Sequence, residues 1–268
     1  MSRPEAGAGE PARVLPAFKS SGAGRRLLVF LHGIGGNQSA FDDQLRTTGG
    51  DWRAVAWDMP GYGASPALPE MTFPALADSL AGLLDHLDVE RAVVVGHSMG
   101  GMVAQELAAR HPSRLAGLVL YATTPMFGSA DGTFQQRFLA ERLAPLERGR
   151  APADLAPDLV AGMLSAATPA AARARAVDSM AAVSAEAYRS ALRCLVTFDR
   201  RADLERITCP TLLLAAELDA LAPPRTMARM AERISGARYE CLAGVGHLAH
   251  IEAPERFDAA LGTFLAGL

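Results

Sequence analysis

A serine flanked by glycines is the first feature of this sequence that could carry chemistry. Gly96-His97-Ser98-Met99-Gly100 matches the pattern G-x-S-x-G, in which the serine is a nucleophile. An apolar run at 92–95 comes directly before it, and a helical pattern at 102–110 follows. In such a strand–turn–helix context the serine hydroxyl projects above a sheet, at a helix N-terminus that favours negative charge. The pattern predicts attack by Ser98 on a carbonyl carbon; the alternative is an ordinary glycine-bearing turn.

The serine needs a base, because a hydroxyl is a poor nucleophile until its proton is removed. The chain has 6 histidines. His247 is our candidate because it follows a glycine after the last predicted strand, at the sheet edge where ligands bind in open α/β sheets. His250 is the local rival, and support of the site or a partly solvated loop position is its alternative role. The other four lie in the serine turn, at the end of a strand or on helices: His97, His32, His86 and His111.

The base in turn needs an acid that fixes its tautomer and stabilises the imidazolium. Two acids follow the predicted strand at 211–215, namely Glu217 and Asp219. We choose Asp219 because it lies nearer the tip of the loop, and Glu217 is the rival. The resulting order along the chain, Ser98, Asp219, His247, differs from the orders found in chymotrypsin-type and subtilisin-type proteases.

Acyl transfer also requires donors for the oxyanion of the tetrahedral intermediate. One donor is expected to be the backbone N–H of Met99, the residue after the nucleophile, and the second that of Ile34. Ile34 lies in the glycine-rich stretch His32-Gly33-Ile34-Gly35-Gly36, which follows the first core strand. The competing interpretation, a phosphate-binding loop, is disfavoured because the stretch lacks G-x-G-x-x-G spacing and a Walker lysine.

The elements that must position these residues alternate between strands and helices. Apolar runs predict buried strands, and leucines at helical spacing mark the helix at 72–87. The alternation stops between about 126 and 198, where we predict helices bounded by the prolines at 145, 152, 157 and 169. The predicted strands lie at 14–18, 27–31, 53–58, 92–95, 115–121, 211–215 and 238–242, and the later helices at 224–234 and 255–265.

Length, charge and cysteine content narrow the class of protein. The chain has 268 residues and a formal net charge of −3, which suits one large α/β domain and argues against nucleic acid or anionic lipid as partners. The 3 cysteines, Cys194, Cys209 and Cys241, show no metal-ligand spacing, so we expect buried free thiols in a reducing, cytoplasmic location. Residues 1–13 are predicted to be a flexible tail. No apolar run is long enough to suggest a membrane span.

Together these motifs resemble the α/β-hydrolase superfamily. The motifs that carry the resemblance are Leu31-His32-Gly33-Ile34-Gly35-Gly36, Asp58-Met59-Pro60-Gly61-Tyr62-Gly63-Ala64-Ser65, Gly96-His97-Ser98-Met99-Gly100-Gly101, the loop from Asp219 to Pro223, and Gly246-His247. The resemblance implies an α/β fold with a mostly parallel central sheet flanked by helices and a helical cap inserted after the sixth strand. The implied division is core at 1–125, cap at 126–198 and core at 199–268. It implies no metal and no cofactor.

Within the superfamily, the chain is most similar to the 3-oxoadipate enol-lactonase and small carboxylesterase group, whose serine turn also reads Ser-Met-Gly-Gly. Ser98 excludes haloalkane dehalogenases and epoxide hydrolases, which have an aspartate nucleophile. Ile34 argues against haloperoxidase-like members, which usually carry an aromatic residue there. His97 and Ile34 both depart from the C–C hydrolases. Ala216 departs from the glycine that the family often has near the acid.

The resemblance implies hydrolysis of a small carboxylic ester or lactone through an acyl-enzyme. The alternatives are a C–C bond hydrolase on the same residues and a ligand-binding receptor. We expect a small-molecule partner, with neither nucleic acid nor membrane, and leave a homodimer open. In the cap, Phe127 and Arg137 are candidates for substrate contact, with Arg193 as an alternative cation; solvated helix faces and packing within the cap explain the same residues. Other apolar candidates are Phe134, Phe138, Met163 and Met180.

Overall fold

One seven-stranded sheet organises the computed structural model, which describes residues 14–268. In spatial order the strands run β1-β3-β2-β4-β5-β6-β7. Every neighbouring pair is parallel except β1 with β3, which is antiparallel. Parallel strands place their carboxyl ends at one edge, so the loops after β2, β4, β6 and β7 meet there. The strands are β1 (Phe18–Ser21), β2 (Arg26–Leu31), β3 (Trp52–Trp57), β4 (Ala92–His97), β5 (Leu115–Tyr121), β6 (Thr211–Ala216) and β7 (Arg238–Leu242).

Helices cover both faces of this sheet. One face packs against α2, α3 and α8, and the other against α1 and α10. Because helices cover both faces of the sheet, the central strand β4 is buried at all six residues, as its run of valines predicts. The helices are α1 (Asp42–Thr47), α2 (Phe73–His86), α3 (Met99–Arg110), α4 (Thr133–Glu147), α5 (Pro152–Ala161), α6 (Ala170–Ala181), α7 (Ala185–Leu195), α8 (Pro224–Arg233), α9 (Ala249–Glu252) and α10 (Pro254–Leu265).

Four helices, α4 to α7, lie between β5 and β6 and are called the cap below. They follow the fifth strand of the described residues, so the expected position after a sixth strand is wrong. The family resemblance implied six strands before the cap, whereas residues 14–268 contain five. The two ends of the cap are joined by a bridge between Met126 and Asp199. Arg200, beside it, forms a two-pronged ion pair with the buried Glu106 of α3 at 2.6 and 2.7 Å.

Two local predictions differ from the structure. The edge strand expected at 14–18 is Phe18–Ser21 instead, because pairing with β3 begins where Phe18 lies opposite Trp57. Pro145 and Pro157 lie inside α4 and α5 and do not bound them. A proline deprives the carbonyl four residues earlier of its partner. Here those carbonyls belong to exposed residues, Glu141 and Ala153, which water can reach.

Of the cysteines, Cys194 alone is buried, and Cys241 is exposed, so the expectation of three buried thiols is wrong. The strand β7 that carries Cys241 lies at the edge of the sheet and is exposed over four of its five residues. The tail predicted for residues 1–13 lies outside the described residues. Within residues 14–268, no helix is long and apolar enough to cross a membrane.

Candidate active site

The turn between β4 and α3 holds Ser98 in a strained conformation. Its φ of 52° and ψ of −117° lie outside the regions that side-chain-bearing residues favour. The flanking glycines explain how the turn closes. A Cβ added to Gly96 would lie 2.5 Å from the carbonyl oxygen of Gly100, and one added to Gly100 would lie 2.3 Å from that of Leu31. Strand and helix can approach this closely only without those side chains.

Asp219 and His247 form a buried pair at the carboxyl edge of the sheet. The Nδ1–H of His247 donates to Oδ2 of Asp219 over 2.7 Å, and both side chains are at most 5% exposed. The other oxygen of Asp219 accepts from the backbone N–H groups of Leu221 and Ala222 at 2.8 and 3.0 Å. Burial by itself would raise the pKa of Asp219, but the neighbouring imidazole and these donors more than offset it, and the pKa is lowered. The carboxylate is therefore charged and acts only as an acceptor.

Glu217, the rival acid, takes no part in this pair. Its side chain is exposed and accepts from the backbone N–H of Gly244 over 2.7 Å. It thereby joins the loop after β6 to the loop after β7 at the surface.

The backbone of His247 is fixed as firmly as its ring. Its carbonyl oxygen accepts from Nε2–H of His97 over 2.9 Å and from the hydroxyl of Tyr121 over 3.0 Å. Its N–H donates to the carbonyl of Met163 over 2.7 Å. Burial, with the neighbouring His247 and His250, holds the pKa of His97 well below its usual range. His97 is therefore neutral, and its single proton lies on Nε2 because a carbonyl can only accept.

With Nδ1 and the backbone engaged, Nε2 is the free nitrogen of His247. Ser98 and His247 line the same cavity, and within residues 14–268 no hydrogen bond joins them. Such bonds are often long before substrate binds. The ring of His97 lies beside that of His247, with the ring centres 4.8 Å apart.

His250 is buried against aromatic rings, unlike the partly solvated loop position considered for it. Its ring stacks on Phe41 with centres 4.8 Å apart, and its Nδ1 lies 3.2 Å from the hydroxyl of Tyr121. Burial, reinforced by the neighbouring His247 and Arg175, lowers the pKa of His250 to about 3. A neutral His250 completes the hydrogen bonds of Tyr121, which in turn holds His247.

The loop after β2 lines the cavity, and its backbone is held by several hydrogen bonds. The carbonyl of Gly33 accepts from Nδ1–H of His32 over 2.7 Å and from the N–H of Gly36 over 3.0 Å. Since this peptide bond is trans, the N–H of Ile34 points the opposite way. Nε2 of His32 accepts from the N–H of Met59 over 2.9 Å, and burial lowers the pKa of His32 to about 4. A neutral His32 thus orients the Ile34 peptide.

The two backbone N–H groups expected to be oxyanion donors are both unengaged within residues 14–268. The N–H of Met99 belongs to the first residue of α3, where no intrahelical acceptor exists. Neither it nor the N–H of Ile34 has an acceptor within the described part of the chain. A Cβ added to Gly33 would lie 3.0 Å from Cβ of Ser98, so the loop packs directly on the serine turn. The arrangement can stabilise negative charge that develops beside Ser98.

A cavity of about 740 Å³ lies between this edge of the sheet and the cap. Its size is in the range of small-molecule sites. The apolar cap candidates all contribute to its wall, and the three phenylalanines among them also pack on one another. Packing within the cap and lining of the cavity are therefore one arrangement. The cap candidates in the wall are Phe127, Phe134, Phe138, Met163 and Met180.

Arg137 does not line this cavity, so the expectation that it contacts substrate is corrected. Its side chain is 69% exposed and lies 3.9 Å from Glu141 on the outer face of α4. Arg193 is also exposed. Arg142, five residues after Arg137, faces the cavity instead, half-buried with its guanidinium 5.6 Å from the ring centre of Phe138.

The charge of the cavity wall is one-sided. Arg142, Arg201 and Arg225 reach it, and within the described residues no aspartate or glutamate does. Arg201 is paired with Asp199 at 2.7 Å, whereas Arg142 forms no ion pair within residues 14–268. The described residues also contain no cluster of histidine, cysteine or acid suited to a metal ion.

Sequence reasoning did not find His97 and Tyr121 as parts of this site. Their contacts with His247 join residues far apart in the chain, 150 positions for His97 and 126 for Tyr121. His97 stood within the serine motif, but its position there shows nothing of the carbonyl it would meet. Arg142 shares its helix with Arg137, and only the rotation of α4 against the core decides which one faces inward.

Comparison with known proteins agrees with this architecture. Residues 28–260 match the model of the Alpha/beta hydrolase family. The chain is 33% identical over 250 residues, 91% of each chain, to a Caulobacter sp. (strain K31) protein provisionally named carbamate hydrolase RutD. It is 32% identical over 249 residues, 89% of this chain and 93% of the other, to the pimeloyl-[acyl-carrier protein] methyl ester esterase of Chromobacterium violaceum.

Among solved structures, an esterase from Thermogutta terrifontis superposes with a TM-score of 0.85 at 28% identity, over 94% of this chain and 93% of that one. The enol-lactonase from Burkholderia xenovorans LB400 superposes with a TM-score of 0.81 at 25% identity, over 94% and 96%. Both resemblances extend over the core and the cap together. The family match, the sheet order and the strained serine turn lead to one conclusion: the chain belongs to the alpha/beta hydrolase family.

Proposed function

We propose that this chain hydrolyses a small carboxylic ester or lactone through an acyl-enzyme on Ser98. The observation that carries the proposal is the buried pair of Asp219 and His247, 2.7 Å apart, whose imidazole lines the same cavity as a strained serine. A neutral imidazole held by a carboxylate at Nδ1 leaves its Nε2 to remove the serine proton.

In the first half of the reaction, Oγ of Ser98 attacks the substrate carbonyl while Nε2 of His247 takes the hydroxyl proton. The negative charge that develops on the carbonyl oxygen is met by the N–H groups of Ile34 and Met99. Each such donor contributes about 3 to 4 kcal/mol to transition-state stabilisation in comparable sites. His247 then protonates the leaving alcohol, and the C–O bond breaks.

In the second half, His247 removes a proton from water, and the hydroxide attacks the acyl carbon of the ester on Ser98. The tetrahedral intermediate collapses with return of the proton to Oγ, and the carboxylic acid leaves. For a lactone, the leaving oxygen remains tethered to the acyl group and the product is a hydroxy or keto acid. Asp219 stays ionised in both halves and stabilises the imidazolium.

The cavity favours an apolar acyl or alcohol portion. Most of its wall is apolar, with Phe127 and the other cap residues contributing, and Arg142 is placed to meet a negative group on the substrate. The esterases and the lactonase among the related proteins support ester or lactone chemistry. The unpaired cysteines are compatible with the cytoplasmic location proposed from the sequence.

The test is a turnover panel on purified protein. Neutral and carboxylate-bearing esters of graded chain length, lactones, and one vinylogous diketone cover the bond types. We expect turnover of esters or lactones that Ser98→Ala abolishes and that Ser129→Ala, which removes another hydroxyl from the cavity wall, leaves within about threefold.

Each other outcome has a defined meaning. Cleavage of the diketone alone would show that the protein is a C–C bond hydrolase, with the same catalytic residues, and not an ester or lactone hydrolase. Binding of panel members without turnover would favour the receptor. Ester turnover that survives in a folded Ser98→Ala variant would overturn the acyl-enzyme mechanism.

A further inference from the structure

The side chain of Glu252, at the end of α9, joins two separate parts of the chain. Its Oε1 accepts from the N–H of Gly246 over 2.9 Å. Its Oε2 accepts from the N–H of Ser165 over 2.8 Å and from the hydroxyl of Thr168 over 2.7 Å. Gly246 directly precedes His247, whereas Ser165 and Thr168 lie in the turn between α5 and α6. One carboxylate therefore binds the His247 loop to the cap.

A backbone contact beside Glu252 reinforces the same junction. The N–H of His247 donates to the carbonyl of Met163 over 2.7 Å. Gly246 packs so closely there that a Cβ would lie 2.4 Å from that same carbonyl oxygen and 3.0 Å from Oε1 of Glu252. Four hydrogen bonds and a steric fit thus connect the turn at 163–168 with the backbone on which the imidazole is mounted.

The three hydrogen bonds to the Glu252 carboxylate are stronger than bonds between neutral groups. An ionised carboxylate that accepts from neutral N–H and O–H donors forms charge-assisted bonds, about twice as strong as neutral ones. Removing the carboxylate would leave the N–H groups of Gly246 and Ser165, both buried residues, without partners. Of these hydrogen bonds between the loop and the cap turn, only the one from the N–H of His247 to the carbonyl of Met163 would then remain.

We propose that Glu252 is a positioning residue for His247, through which the cap turn at 163–168 sets the direction of the imidazole. The proposal rests on the proposed function, in which Nε2 of His247 must reach Oγ of Ser98. It makes the cap a part of the proton-transfer apparatus in addition to a wall of the cavity. A displacement of about 1 Å in such a group lowers the rate by up to about 100-fold.

The chain offers a matched control for this junction. Arg175 of α6 donates to Asp43 of α1 over 2.8 Å and so ties the same cap to the core, and within residues 14–268 it forms no hydrogen bond with the His247 loop. Arg175→Ala therefore loosens the cap at a second point and leaves the bonds of Glu252 in place. Glu252→Ala loosens it at the imidazole, and Glu252→Gln keeps one acceptor oxygen of the two.

Two measurements test the proposal. In steady-state kinetics on the best ester, we expect Glu252→Ala to lower kcat by about 10- to 100-fold with KM within about threefold. Glu252→Gln should recover part of the loss, and Arg175→Ala should stay within about twofold of the parent. Thr168→Val should lower kcat in the parent but add little to Glu252→Ala, since both break one junction.

The second measurement needs no substrate. By hydrogen–deuterium exchange, Glu252→Ala should speed exchange in peptides that cover 163–168 and 244–250, and Arg175→Ala should not. Unchanged exchange in both segments would overturn the docking, whatever the activity. Faster exchange with unchanged kcat, or an equal loss of kcat in Arg175→Ala, would overturn the positioning role.

A failure of the proposed function is distinguishable, because it appears in the parent protein as turnover that Ser98→Ala does not remove. If the parent protein hydrolyses no ester at all, both the proposed function and the positioning role of Glu252 are refuted. The exchange measurement would still show whether Glu252 holds the cap turn against the His247 loop.

Discussion

Asp219→Asn is the substitution whose consequence follows most directly from the geometry. Oδ1 of Asp219 accepts from the N–H groups of Leu221 and Ala222, at 2.8 and 3.0 Å. An asparagine must keep its carbonyl oxygen in that place, because its NH2 group would face two donors. The NH2 group therefore takes the position of Oδ2, 2.7 Å from Nδ1 of His247. Two donors cannot face each other at that distance.

The imidazole then has to move its proton from Nδ1 to Nε2. In that tautomer Nε2 donates and can no longer accept the proton of Ser98. Substitutions of this kind lower kcat about 10⁴-fold in serine proteases, which corresponds to about 5.5 kcal/mol of activation free energy. We expect a similar loss here, with KM nearly unchanged because Asp219 lies behind the imidazole and outside the cavity wall.

The assay is steady-state ester hydrolysis, with thermal unfolding to verify the fold. Glu217→Gln is the control, since that exposed carboxylate follows the same strand and accepts from the N–H of Gly244 instead of from His247. We expect its kcat to stay within about twofold of the parent. A folded Asp219→Asn that loses less than about tenfold, or a Glu217→Gln that loses as much, would refute the role given to Asp219.

Three further predictions concern the cavity, pH and the serine turn. Arg142→Ala should raise KM for carboxylate-bearing esters about tenfold more than for neutral ones, whereas Arg137→Ala should leave both unchanged; paired kinetics check this. Burial lowers the pKa of His32 from 6.5 to about 4, so between those pH values the unfolded chain binds a proton that the folded chain does not, and the folded state loses stability as the pH is lowered. At pH 4 this residue should reduce the free energy of unfolding by about 3 kcal/mol relative to neutral pH. Urea unfolding measures the change, and a free energy of unfolding that stays constant over this range would contradict the prediction. Gly100→Ala should destabilise by about 3 kcal/mol because its Cβ would meet Leu31, whereas Gly262→Ala, in open space on a helix, should stabilise by up to about 1 kcal/mol; the two melting temperatures decide.

The sheet was predictable because its signals are local. A continuous apolar run between turn residues predicts a buried parallel strand, and Leu115–Tyr121 and Arg238–Leu242 begin and end where their patterns do. The edge strand was misplaced because its register depends on a partner, β3, that lies elsewhere in the chain. Pro145 and Pro157 misled for a similar reason, since the tolerance of a helix for proline depends on whether water reaches the freed carbonyl.

The candidate site also has parts with a local sequence signal and parts that depend on residues elsewhere in the chain. Ser98, Asp219 and His247 each follow a strand, so their strand ends predict that they approach one edge of the sheet. The structure brings Asp219 and His247 into a hydrogen bond and places Ser98 in the same cavity wall. The groups that hold His247 from behind, His97, Tyr121 and Glu252, have no local signal. Their selection depends on how the cap and the loops pack, which spacing along the chain does not encode.

The central claim is that Ser98 is a nucleophile activated by His247, and labelling with a fluorophosphonate tests it most directly. We predict one equivalent bound per chain, located on Ser98 by peptide mass spectrometry, with ester turnover lost in proportion. Ser98→Ala should take up no label, and Asp219→Asn should be labelled far more slowly. Labelling at another residue, or full turnover by a protein fully labelled on Ser98, would contradict the account.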